Sequence, residues 1–113
     1  MPVTTFAVPI LPGKTEEWKQ AAEEMKGARK AEHDASRRRM GLTREVVSLQ
    51  QTPDGDYVVV CLEGDDPETV PARYLASDHP FDRWFAETFL VGIHGMDVSQ
   101  LPPPNQLFLD WSA

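Results

Sequence analysis

Thr43-Arg44-Glu45-Val46-Val47-Ser48-Leu49-Gln50-Gln51 is followed by Thr52-Pro53-Asp54-Gly55-Asp56 and then by Tyr57-Val58-Val59-Val60-Cys61-Leu62-Glu63. This stretch decides the fold. The first segment alternates as a strand, with Val47 and Leu49 on one face and Val46 and Ser48 on the other. The second is turn chemistry, in which Pro53 fixes φ and Gly55 supplies a positive one. The third is a continuous apolar run, as expected of an interior strand covered on both faces. Together they predict a β-hairpin.

Outward from the hairpin, Val3 to Ile10 reads as a strand closed by Pro9, Pro12 and Gly13. Thr15 is placed as a helix N-cap, with Glu16 and Glu17 in the first turn where the helix dipole favours negative charge. Trp18, Ala21, Ala22, Met25 and Ala28 form one apolar stripe, and the pattern runs on to Arg39, with Gly41 as the stop. Unbroken from Glu16 to Met40, that helix would span about 37 Å, so a bend or break is expected near Gly27. After the hairpin, Asp66-Pro67 fits a helix start, but Pro71 complicates a single regular helix there, and a short helix starting nearer Thr69 is an alternative. Phe81, Trp84, Phe85, Thr88 and Phe89 make a strong helical face that ends at Gly92 and Gly95. A stiff loop from Met96 carries Pro102-Pro103-Pro104 and leads to a last predicted strand, Gln106 to Trp111.

The expected order is strand, helix, strand, strand, helix, strand. This is an α+β, ferredoxin-like split βαβ plan with an antiparallel sheet, in one domain over residues 1–113. Helices would cover one sheet face. The strands are apolar on both faces, so a homodimer packed sheet against sheet is expected.

Three segments also carry a family likeness: Ala35-Ser36-Arg37-Arg38-Arg39-Met40-Gly41, Asp78-His79-Pro80-Phe81-Asp82-Arg83-Trp84-Phe85 and Ile93-His94-Gly95-Met96-Asp97. With the element order and length, they resemble the dimeric α/β-barrel superfamily, which includes antibiotic-biosynthesis monooxygenase-like proteins. The likeness is narrower to a group of short bacterial members with no assigned reaction. It implies a fold and a dimer. The superfamily hosts cofactor-independent oxygenases, haem degraders and isomerases, so it implies no single chemistry and transfers no catalytic residue.

Candidate chemistry comes from individual residues. Glu32-His33-Asp34-Ala35-Ser36-Arg37 contains the densest polar group, and His33 and Arg37, four apart, share a helix face. If that face lines a pocket, His33 moves a proton while Arg37 or Arg38 holds a carboxylate or enolate, and Ser36 lies with them. His94 is a second candidate acid–base group, with Asp97 three residues on as a possible orienting partner. Trp84 is a candidate apolar wall of a ligand pocket. His79 reads as a turn residue at a helix start. The competing reading makes Arg37-Arg38-Arg39 a helix-end cluster that pairs with the acidic half of the chain.

Composition narrows the classes further. Hydrophobic residues are 41% and charged ones 26%, ordinary for a folded domain and too apolar for disorder. The net charge of −7 disfavours nucleic-acid binding. It is uneven: residues 1–44 carry nine Lys+Arg against six Asp+Glu, and residues 45–113 carry two against twelve. No long apolar run predicts a membrane span, and no basic residue precedes the apolar start as in a secretory leader. With a single cysteine, Cys61, a cytoplasmic protein is the simplest expectation. Dispersed histidines predict no metal, and the glycines form no phosphate-binding pattern, so no cofactor is expected. Three readings stay open: a module binding a small molecule in a helix–sheet pocket, a cofactor-independent oxygenase or isomerase, and a non-catalytic structural or partner-binding dimer.

Overall fold

Val3–Pro9 forms β1, in which Thr4, Phe6 and Val8 are buried and alternate with more exposed neighbours. The computed structural model describes residues 2–97 and 99–113; the readings above that touch Met1 and Val98 lie outside it. Helix α1 spans Thr15–Lys26 and α2 spans Lys30–Arg39. The break falls at Gly27, as its low helix propensity predicts. Thr15 begins α1 rather than capping it: its hydroxyl donates to Asp56 Oδ2 at 2.6 Å and ties the helix to the hairpin turn.

The hairpin forms as expected, with β2 at Leu42–Thr52 and β3 at Gly55–Gly64. A 3-10 turn, Pro67–Thr69, leads into α3, Val70–Ala76. Helix α4, Pro80–Phe85, continues as a π-helical segment, Ala86–Ile93. His79 caps α4 through Nδ1, which accepts from the Phe81 N–H. The wider winding turns Ala86, Phe89, Leu90 and Ile93 inward, so the buried face extends past the predicted Phe89.

The molecule is thus an α+β fold built on a three-stranded antiparallel sheet of order β1-β3-β2. β1 and β2 both run antiparallel to β3, so they are parallel to each other with β3 inserted between them. The predicted fourth strand is absent: residues 101–113 adopt no regular structure. Three prolines cannot donate to an edge, and a single bond, from the Asn105 N–H to the Thr5 carbonyl at 2.8 Å, meets β1. Beyond it Leu107, Phe108, Leu109 and Trp111 are exposed, Phe108 by 89%.

All helices pack on one sheet face. One core cluster gathers Phe6, Leu42, Leu62, Val70, Tyr74 and Leu90 among others; a second gathers Ile10, Met25, Val58, Phe81, Phe89 and Ile93. Val60 and Phe85 pack against both. On the opposite face, β3 presents Tyr57, Val59 and the half-buried Cys61, beside exposed Ala7 and Val46. Cys61 therefore lies on the outer face, not in the core as a strand buried on both sides would place it.

Candidate functional site

A cavity of about 370 Å³ lies between the helices and the core face of the sheet. Its floor is Phe6 and Val8 from β1, Val58, Val60 and Leu62 from β3, and Val47 from β2. Trp18, Ala22 and Met25 of α1, Val70 of α3, and Phe85, Phe89 and Leu90 supply most of the remaining apolar wall. The segment after the π turn closes one side with His94, Met96, Leu101 and Pro102.

The polar groups concentrate where α2 crosses β2. The alternation that turns Val47 and Leu49 inward also turns Glu45 inward, opposite Leu62. Its carboxylate takes a bidentate bond from Arg37, with Nε at 2.9 Å and Nη2 at 3.1 Å. A carboxylate only accepts, so His33 Nε2 carries the proton in its 3.0 Å bond to Glu45 Oε1. Burial acts to raise the Glu45 pKa, but the His33 hydrogen bond and the charge and bonds of Arg37 outweigh it and hold it at about 2. Arg37 is 8% exposed; burial works against its charge, and Glu45 more than compensates, so the guanidinium stays protonated. Its plane also lies 4.4 Å from the Phe85 ring centre.

From Arg37 a directed chain leads away from the cavity. Nη1 donates to the Tyr74 hydroxyl at 2.5 Å, Tyr74 is 2.6 Å from Ser36 Oγ, and Ser36 donates to Asp82 Oδ1 at 2.6 Å. Arg37 can only donate and an ionised Asp82 can only accept, so Tyr74 must donate to Ser36. Asp82 also accepts from Arg39 at 2.9 Å and Ser77 at 2.7 Å. Burial would raise its pKa; the bonds from Ser36 and Ser77 and the Arg39 charge bring it below the ordinary aspartate value.

At the other side, His94 Nδ1 lies 3.0 Å from the Pro9 carbonyl oxygen. A carbonyl only accepts, so Nδ1 bears the proton and Nε2 keeps a basic lone pair. Burial lowers the His94 pKa, and the Pro9 bond restores only part of the loss, so the ring is neutral at neutral pH.

Of the residues singled out by sequence, the structure brings His33, Arg37 and His94 to the cavity. Ser36 sits behind the wall, fully buried. Arg38 is exposed on α2. Arg37 and Arg39 do pair with acidic residues from the second half of the chain, as the competing reading of the cluster held. Trp84 packs against Phe81 and Phe89 under the Arg29 guanidinium, 4.2 Å from its ring centre. Asp97 is exposed and accepts from the Ser99 N–H and hydroxyl at 2.9 Å, while His94 is oriented by Pro9. Glu45 and Tyr74 were missed. Glu45 had a signal, a charge in phase with Val47 and Leu49; Tyr74 had none. Among the described residues, no three His, Cys, Asp or Glu side chains converge as metal ligands. Neither a family model, nor a curated protein, nor a solved structure matches the chain.

Proposed function

We propose that this chain binds a small, mostly apolar molecule in the cavity between its helices and its sheet. The observation that carries this reading is the cavity itself: apolar walls with a few polar groups at defined points are the usual form of a small-ligand site. Arg37 spends its fork on Glu45, so it is not a free anion clamp. A thermal-shift screen against apolar and aromatic metabolites tests the proposal. A ligand at 100 times its Kd should add about 2.7 kcal/mol, several degrees for a domain this small. Val60→Phe places a ring in the cavity and should abolish the shift while the circular dichroism spectrum stays native. A folded protein stabilised by no compound would count against the reading.

A second reading rests on His94. A neutral imidazole with its Nδ1 proton tied to Pro9 is set up to accept a proton at Nε2. That suits a cofactor-independent isomerase or oxygenase that begins by deprotonating its substrate. His94→Ala should then abolish turnover and weaken binding of the same molecule by no more than about tenfold. We further propose a ferredoxin-like plan that lacks its fourth strand, as a homodimer of the dimeric α/β-barrel kind. Its support is the split arrangement of β1, β3 and β2 and the exposed apolar residues after Asn105. A purely structural dimer would share these features but would bind nothing in the cavity.

A further inference from the structure

We infer that the cavity selects its ligand by what the ligand donates: an uncharged molecule with an apolar body and a hydroxyl or N–H, received by Glu45 or, at the other side, by His94, with carboxylates rejected. This deepens the small-molecule reading above and rests on it. Arg37 sends Nε–H and Nη2–H to Glu45 and Nη1–H to Tyr74. His33 sends its Nε2–H to Glu45, and Tyr74 sends its proton to Ser36. His94 sends its Nδ1–H to Pro9. These protons are spent within the wall, and the second Nη2–H of Arg37 faces Met25 Sδ at 4.0 Å; Trp18, on the apolar side, carries an indole N–H. Lys26 is at the rim, paired with Glu23 at 2.8 Å with its side chain 66% exposed.

Acceptors remain. A carboxylate offers about four lone-pair sites, and the bonds from Arg37 and His33 use three of them on Glu45. His94 keeps the Nε2 lone pair. A ligand that donates pairs with these groups. One that presents only lone pairs leaves them unmatched, and a carboxylate must also shed its hydration inside an apolar enclosure. Arg37 and Glu45 neutralise each other through two bonds, so the pair offers a ligand carboxylate no counter-charge to replace its water.

The test is a matched set of four probes titrated calorimetrically at neutral pH: para-hydroxybiphenyl, its methyl ether, the corresponding carboxylate and unsubstituted biphenyl. The hydroxyl compound should bind at least about tenfold tighter than the ether and the carboxylate, the range expected for a hydrogen bond to a charged or buried acceptor. Glu45→Gln or His94→Phe, according to which acceptor the hydroxyl meets, should remove most of that preference while biphenyl still binds, and a preference that survives both overturns the inference. If Glu45→Gln does not fold, the comparison of hydroxyl compound with ether on the unaltered chain still decides. Equal affinity for hydroxyl compound and ether, or tighter binding of the carboxylate, overturns the donor rule and leaves the cavity reading intact. Failure of all four, biphenyl included, overturns the cavity reading and this inference with it.

Discussion

Glu45 and Arg37 hold each other in place at a point where burial alone would tolerate neither. Removing one partner leaves the other charged and desolvated. Glu45→Ala should therefore cost about 3–5 kcal/mol, read as a lower urea midpoint with an unchanged m-value. Replacing both, as Arg37→Met with Glu45→Leu, should recover most of that loss. The same carboxylate sets an acid limb. Its folded pKa of about 2 lies below its ordinary 4.5. The unfolded chain thus takes up its proton first as the pH falls. The contribution, on the order of 3 kcal/mol, is fully present above pH 4.5 and is lost as the pH falls towards 2. His94, also depressed, acts in the same direction below its ordinary 6.5. Urea midpoints measured across this range should fall towards acid, and Glu45→Gln should flatten the lower part of the fall. Sequence exposed His33, Arg37 and His94 because spacing and residue type are local properties. It did not expose Tyr74, whose partners Ser36 and Arg37 lie 38 and 37 residues away.

The elements form where local signals agree. The hairpin has alternation, a Pro-Asp-Gly turn and a long apolar strand, and it forms where these signals place it. Its far end depends on closeness that no local signal announces. Gly64 passes so near Gly41 that a Cβ there would lie inside the Gly41 carbonyl. Gly41 itself has φ +74°, with Asp65 Oδ2 3.2 Å from where its Cβ would be. Gly64→Ala must push β3 off the start of β2 and should cost about 1–3 kcal/mol by chemical denaturation. The corresponding change at Gly55, where a Cβ meets nothing within 4 Å, carries only the backbone strain of φ +140°. The aromatic stripe shows the opposite case. Its phase was legible to Phe89. The π winding beyond was not, because it follows from docking: the Ile93 carbonyl accepts from the Leu11 N–H at 2.9 Å, and Ile93 is fully buried.

At the scale of the molecule, the unfinished part is the C-terminal stretch. Asn105 meets the free edge of β1, and the chain then presents Leu107, Leu109 and Trp111, 53–82% exposed, with no core to enter. Residues 106–113 can extend about 26 Å, enough to reach a second copy. If these residues help to hold a dimer, light scattering should give a dimeric mass for the full chain and a monomeric one for a chain ending at Asn105. A monomeric full chain would remove the dimer proposal. None of the helices is long and apolar enough to cross a membrane, among the residues described. The sequence by itself determined the α+β class, the break near Gly27, the hairpin and the helical start of the aromatic stripe, because each depends on periodicity and turn chemistry within a short window. Only the tertiary structure decided that Glu45 joins His33 and Arg37, that Tyr74 and Ser36 relay to Asp82, that Pro9 sets the tautomer of His94, and that the last apolar segment lies unpaired. Each of these joins groups distant along the chain. Their energies come from burial and from hydrogen bonds between elements, which exist only once the helices have closed on the sheet.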